Sequence, residues 1–296
     1  MDAGRRRMKF GLWFGNTGRY VDASNAVALA QAAESAGFES LWTVEHTIVP
    51  AGYASTYPYD ESGKMPGGRE DFPLPDPLIW MSFVAAVTST IKLGTGILIL
   101  PQHNPVHAAK QIATLDHISG GRVVLGVGIG WLREEFAALG VPFEERGART
   151  DEYIAAMREL WAAEKATFTG RFVTFKDVYC RPQPVNKSVP IIIGGHSEAA
   201  ARRAGRLGDG FFPYSREQVK LIAIARDAAE KAGRDPARLE ITTSLPRETA
   251  ELEALQRLCV HRVLVPLLGG GRLNPPIRAP EDLAGWTEII KRYADA

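Results

Sequence analysis

The chain has 296 residues, 45% of them hydrophobic and 23% charged, with a formal net charge of +1. That balance is ordinary for a globular protein able to bury one large core, and it offers no basic face for nucleic acid or a membrane surface. Two cysteines, Cys180 and Cys259, exclude a disulfide framework; no Cys/His spacing suggests a metal site, and no apolar run reaches membrane-spanning length. With no signal peptide read at the start, the expected location is cytoplasmic.

Residues 1–7, with Arg5-Arg6-Arg7, read as a disordered tail. Lys9–Phe14 is the first expected strand, and a helix to Phe38 is closed by Gly37. Ser40–Val44 is the second strand and delivers Glu45-His46 at its end. A long Pro-, Gly- and Tyr-rich loop follows, from Thr47 to about Asp76; loops of such length inside a domain commonly act as lids. Pro77–Ser89 reads as helix, Ile91–Leu100 as the third strand, and Pro105–Ser119 as an amphipathic helix.

The fourth strand is the organising stretch. Arg122-Val-Val-Leu-Gly-Val-Gly-Ile-Gly-Trp131 places Gly126, Gly128 and Gly130 at its C-terminal end. Either these glycines bare the strand for a flat ligand, or they serve a strand-to-helix turn. Glycine at Trp131 would be needed for a dinucleotide fingerprint, so that motif is absent. A helix over Arg146–Ala163 follows, then an inserted hairpin over Thr167–Gln183.

Val189–Ile193, Asp209–Pro213, Leu239–Thr243 and His261–Pro266 are four further strands. Helices are expected over 198–207, Arg216–Ala232, Glu248–Cys259 and Pro280–Tyr293. Eight mostly apolar strands, each followed by helix, indicate a (β/α)8 barrel, with a doubly wound open sheet as the alternative. No interior linker appears, so residues 1–296 are expected to form a single domain.

In such a barrel the chemistry sits at the C-terminal strand ends. His46 is the candidate catalytic residue, since imidazole titrates near neutrality at a strand mouth, beside Glu45. Gly194-Gly195-His196-Ser197, running into a helix N-terminus, suits a phosphate, although Ser197 also fits a helix cap. Gly269–Arg272 competes for that anion. No Ser/His/Asp arrangement or carboxylate pair stands out, so the chemistry is assigned to a cofactor. Tyr53, Tyr57 and Trp80 are candidate linings of the substrate site.

Several motifs in order carry a resemblance: Ala36–His46, Leu93–Ile97 with Asn104-Pro105, Leu115–Arg122, Gly126–Phe136, Phe143–Arg146, and Ile193–Gly195 with Gly208–Gly210. On them, the chain from about Phe10 to Trp286 resembles the bacterial luciferase-like superfamily of flavin- and deazaflavin-dependent oxidoreductases. The resemblance implies the same barrel and makes His46 the histidine near the reactive ring. Gly96–Ile97 is implied to be a cis peptide forming a bulge behind that ring. Glu45, Asn104, Gly128, Gly130 and Trp131 are implied to face the cofactor, with the Gly194–Ser197 turn at its phosphate.

Some deazaflavin-dependent sugar-phosphate dehydrogenases carry a glutamate acid at the position of Trp131, which argues against that reaction here. The motif combination is most similar to the coenzyme F420-dependent branch, and abundant arginine and alanine suggest the high-GC genomes common among producers of that coenzyme. The resemblance thus implies hydride transfer between F420 and a small organic substrate. An FMN-dependent two-component monooxygenase and a flavin-binding protein without turnover are the alternatives. A third, outside the resemblance, is a phosphate-substrate barrel enzyme with no redox cofactor. Pairing through barrel helices, common in the family, implies a homodimer.

Overall fold

The computed structural model describes residues 7–65, 68–246, 251–268, 271 and 273–294. Its strands are β1 (Lys9–Trp13), β2 (Ser40–Thr43), β3 (Lys92–Thr95), β4 (Leu98–Ile99), β5 (Val123–Gly128), β6 (Ala166–Thr169), β7 (Thr174–Val178), β8 (Ile191–Gly195), β9 (Gly210–Pro213), β10 (Glu240–Ser244) and β11 (Arg262–Pro266). Parallel pairing runs β1–β2–β3–β5–β8–β9–β10–β11 and returns from β11 to β1, so eight strands close a barrel. This closure rules out the open-sheet alternative. β6 and β7 form a separate antiparallel hairpin after β5.

The α-helices among the described residues are α1 (Ala23–Ala36), α2 (Pro77–Ala85), α3 (Pro105–Ser119), α4 (Arg133–Ala138), α5 (Arg146–Ala162), α6 (Glu198–Leu207), α7 (Gln218–Lys231), α8 (Leu252–Arg257) and α9 (Thr287–Ala294). The segment expected as one closing helix begins instead as a 3-10 turn over Pro280–Trp286 before α9. Among the described residues no helix is long and apolar enough to cross a membrane. Residues 1–6, Glu248, Gly269, Gly270 and Arg272, named in the sequence reading, lie outside the described residues.

Period-two alternation divides the core. Phe10, Leu12, Leu41, Leu93, Val123, Leu125, Ile191 and Ile193 point outward and pack beneath the helices. Trp13, Trp42, Val124, Ile192, Phe212 and Leu264 form a separate cluster inside the barrel. Trp42 fits there because its neighbours lack side chains: a Cβ on Gly94 would lie 2.5 Å from its ring, and one on Gly11 3.0 Å from Nε1. Its indole N–H donates to Ser40 Oγ at 2.8 Å, so no polar group is stranded.

The N-terminal end of the barrel is closed by charge. Arg262, almost wholly buried, donates from Nε and Nη2, one edge of its guanidinium, to the two Glu39 oxygens at 2.9 and 3.0 Å and reaches Glu240 at 3.3 Å. Lys9 and Lys92 add outer partners to this network. The opposite end remains available for a site.

The third strand is not continuous. Gly94 pairs with Val124, yet Leu98 pairs with Val127, so four steps on one strand match three on the other. One residue is extra, which makes a β-bulge. The Gly96–Ile97 peptide within it is cis, the conformation implied by the resemblance.

Candidate active site

The C-terminal strand ends and the 47–76 loop enclose a cavity of about 680 Å³. Its lining includes Glu45, His46, Gly96, Ile97, Gly128, Gly130, Trp131, Gly194, Gly195, His196 and Ser197. The structure therefore gathers eleven of the twelve positions expected to serve catalysis or hold the cofactor. Asn104 is the exception: it is exposed, outside that lining, and its side chain accepts from the Val106 and His107 amides as the N-cap of α3.

The bulge supplies a floor. Trp13 Nε1 donates to Gly96 O at 2.9 Å, and the Gly96 amide donates to Thr43 O at 2.7 Å. A Cβ on Gly128 would stand 2.6 Å from Ile97 Cδ1, and one on Gly194 2.6 Å from Ile97 Cγ2. These two glycines accommodate Ile97, and Ile97 is the surface offered to a ligand. Gly126 is bare for another reason, because a Cβ there would lie 1.9 Å from Thr95 O. Gly130, at φ +75°, serves the turn that leads into α4. The triple glycine thus clears space for protein atoms, while Gly128 and Gly130 also lie on the cavity lining.

His46 is fixed by a residue that sequence reasoning left without a role. Its Nδ1 lies 2.9 Å from Glu135 Oε2, and Glu135 is fully buried. The other carboxylate oxygen accepts the Thr47 amide at 2.7 Å and the Ile48 amide at 3.3 Å. With Glu135 as acceptor, Nδ1 donates, which leaves Nε2 as the nitrogen available on a residue that lines the cavity. The adjacent Glu134 takes the Ala54 and Ser55 amides and the Ser55 hydroxyl. The Ser55 hydroxyl, then the amides of Glu134 itself, Ala54 and Ser55, hold the Glu134 carboxyl down at about 2. Two consecutive acids on α4 therefore staple the loop. The visible signal was a Glu-Glu pair directly after a glycine-rich strand end.

Glu45 turns away from this pair. One oxygen accepts the Ile99 amide beyond the bulge, and the other lies 2.8 Å from His103 Nε2. Burial pushes the His103 imidazole down, but the hydrogen bond and charge of Glu45 outweigh it and leave the value raised. His103 had no assigned context in the sequence; its partner lies 58 residues away.

The anion end is built by two helices. Ser197 caps α6, accepting the Ala200 amide at 3.2 Å, so both sequence readings of this residue meet at one helix N-terminus. Arg146 and Arg203 also line the cavity. Arg146 donates to Gly130 O and Phe143 O and lies 3.7 Å over the Phe143 ring. Burial is the main cause that lowers its pKa. Arg203 pairs with Asp151 and donates to Gly147 O. Neither arginine was singled out for an anion, because they reach the site from α5 and α6, 57 positions apart.

Aromatic rings close the remaining side. Trp131 meets His46, Tyr53 and Tyr57 edge-on at 5.8, 5.5 and 5.2 Å. Tyr57 lines the cavity, as expected of it. Tyr53 is instead buried within the loop, its hydroxyl accepting the Met65 amide. Trp80 is buried in the helix layer and donates to Tyr20 O. Among the described residues, no cluster of three or more His, Cys, Asp or Glu is placed to hold a metal.

A family model described as luciferase-like monooxygenase matches residues 8–280. An uncharacterized protein of Mycobacterium tuberculosis is 34% identical over 269 residues, covering 89% of this chain and 91% of that protein. The F420-dependent glucose-6-phosphate dehydrogenase of Kineococcus radiotolerans is 31% identical over 263 residues, covering 85% of this chain and 72% of its own. Among solved structures, the monooxygenase RslO1 from Streptomyces bottropensis is 29% identical with a TM-score of 0.64, covering 97% of this chain and 83% of that one.

Proposed function

The chain belongs to the luciferase-like monooxygenase family, and from that membership we propose that it is a coenzyme F420-dependent oxidoreductase moving a hydride between the deazaflavin and a small organic substrate. One observation carries the reading. A single cavity joins an apolar floor at Ile97, a histidine fixed through one nitrogen, and an end with Arg146, Arg203 and the N-terminus of α6. A flat ring with an anionic tail needs those three features together. The volume also lies within the ordinary range for such ligands, roughly 300–1,000 Å³.

When bound, the deazaflavin supplies the hydride chemistry. The Ile97 side chain would support its ring face, and Arg146, Arg203 and the Ser197–Ala200 turn would hold its phosphate. His46 Nε2 would exchange a proton with the substrate oxygen, since Nδ1 is committed to Glu135. The stapled loop excludes water from this proton transfer. The relative named for F420 dependence favours this coenzyme. The related monooxygenase supports a monooxygenase as the second reading, for which FMN would be the cofactor to test.

Absorbance titration with F420 and with FMN in turn tests the proposal. Saturable F420 binding followed by substrate-dependent change of the bound coenzyme is expected. Tight FMN binding with no affinity for F420 would overturn it, and binding without turnover of any offered substrate would leave a carrier rather than an enzyme.

A further inference from the structure

The half of the cavity facing the loop has a composition that selects its substrate. Trp131, Tyr57, Tyr59, Tyr214 and Trp13 form a continuous series of edge-to-face rings, with centroids 5.2, 5.3, 5.0 and 5.2 Å apart in turn. Phe72 and Met65 line the cavity from the loop as well. Charged side chains contribute little there. Among the described residues, the cations that line the cavity are Arg146 and Arg203, both tied to backbone carbonyls at the anion end. The one acidic group on the lining, Glu45, spends its two oxygens on Ile99 and His103. Lys64, a cation of the same loop, donates to Tyr53 O and is not on the lining.

An anion entering this half would give up hydration without meeting a counter-charge, a cost of several kcal/mol, and a cation would recover only a fraction of that cost from the ring faces. Burial raises the Tyr57 hydroxyl, so it stays neutral and provides no negative partner for a cation. Edge-to-face rings instead present walls that a flat face fills well. His46 lines this cavity with Nδ1 taken by Glu135, which leaves Nε2 to meet the substrate.

We propose that the substrate is an uncharged, flat and largely apolar molecule whose polar edge meets His46 beneath the aromatic belt. This rests on the hydride-transfer reading for its chemistry, but not for its binding. With the coenzyme phosphate at the anion end, a sugar phosphate, the substrate class named for one relative, would meet no counter-charge in this half.

Three probes sharing one ring system test the charge rule: 2-naphthamide, 2-naphthoate and 2-naphthyltrimethylammonium. Calorimetric titration of the full chain would be done with inorganic phosphate saturating the anion end. The amide is expected to bind about tenfold or more tightly than either ion. Tyr57→Ser, from the loop, and Tyr214→Ser, from the barrel, should each weaken the amide about fivefold or more, with unchanged far-ultraviolet circular dichroism. Equal or tighter binding of the naphthoate or the ammonium probe would overturn the proposal. So would amide affinity indifferent to both tyrosine variants. The coenzyme titration described above is scored separately, so failure of F420 binding and failure of this rule are distinguishable.

Discussion

His46 Nδ1 and Glu135 Oε2 stand 2.9 Å apart, although 89 positions separate them. The same carboxylate fixes Thr47 and Ile48, so the proposed catalytic imidazole and the root of the loop share one anchor. Orientation of the base and closure of the site are thereby coupled. Glu135→Gln keeps the shape but offers one acceptor oxygen where the carboxylate offers two. Turnover should fall roughly 10–100-fold with coenzyme affinity little changed, as for other groups that orient a functional histidine. His46→Ala should fall further, in a protein that melts normally. Unaltered turnover in Glu135→Gln would remove the positioning role.

The Ile97 floor makes a structural prediction. Gly194→Ala drives a methyl group to 2.6 Å from Ile97 Cγ2 and should cost about 1–3 kcal/mol in stability. The double variant Gly194→Ala, Ile97→Ala removes the clash and should recover much of that loss in thermal denaturation. Coenzyme affinity should stay low in the double variant, because the floor itself is gone. Full recovery of both quantities would show that Ile97 supports no ligand.

The Glu134 staple has a defined pH window. Its carboxyl is depressed to about 2 from 4.5, so the contact contributes fully above about 4.5 and is lost as pH falls towards about 2. Hydrogen exchange at the Ala54 and Ser55 amides, corrected for intrinsic rates, should show protection disappearing across that interval. Glu134→Gln should show weakened protection already at neutral pH. Protection that ignores both pH and the substitution would dismiss the staple.

Charge closes the other end of the barrel, and its loss should leave the site intact. Burial alone would raise the Glu39 carboxyl, but the hydrogen bonds and charge of Arg262, with Lys92, hold it at about 2. Glu39→Gln leaves the buried guanidinium with Glu240 as its remaining acid. A loss of about 2–4 kcal/mol in chemical denaturation is expected, somewhat below that for a buried ion left with no partner. Coenzyme affinity should be unaffected, since the two ends of the barrel are separated by the Trp42 layer.

The barrel was legible in the sequence because continuous apolar strands such as Val123–Leu125 and Ile191–Ile193 carry their own signal. So was the place of His46, given that strand mouths host chemistry. What escaped were relations set by tertiary contact. Glu135 reads as an ordinary first-turn acid until β2 is brought beside α4, and His103 looks idle until Glu45 reaches it across the bulge. The two readings of the glycines stayed open because periodicity cannot show that Ile97 fills the space beside Gly128 and Gly194. Trp80 was over-read: an aromatic following a loop rich in tyrosine looks like a lining, yet it belongs to the helix layer.

Asn104 separates a motif position from a site position. It sits within the sequence pattern shared with relatives, and on that pattern it was expected to touch the cofactor. In the structure its carboxamide oxygen accepts two amides at the start of α3, at 3.0 and 3.2 Å, and its side chain is directed to that helix rather than to the cavity. Removing a cap of this kind costs about 0.5–2 kcal/mol. Asn104→Ala should therefore lower the melting temperature while leaving the coenzyme dissociation constant within about twofold of the parent protein, whereas Asn104→Asp, which caps equally well, should leave both unchanged. A large loss of coenzyme affinity in Asn104→Ala at temperatures well below melting would instead return this residue to the binding site. The cap geometry argues for the first outcome, because both amides it satisfies would otherwise be orphaned at the helix end.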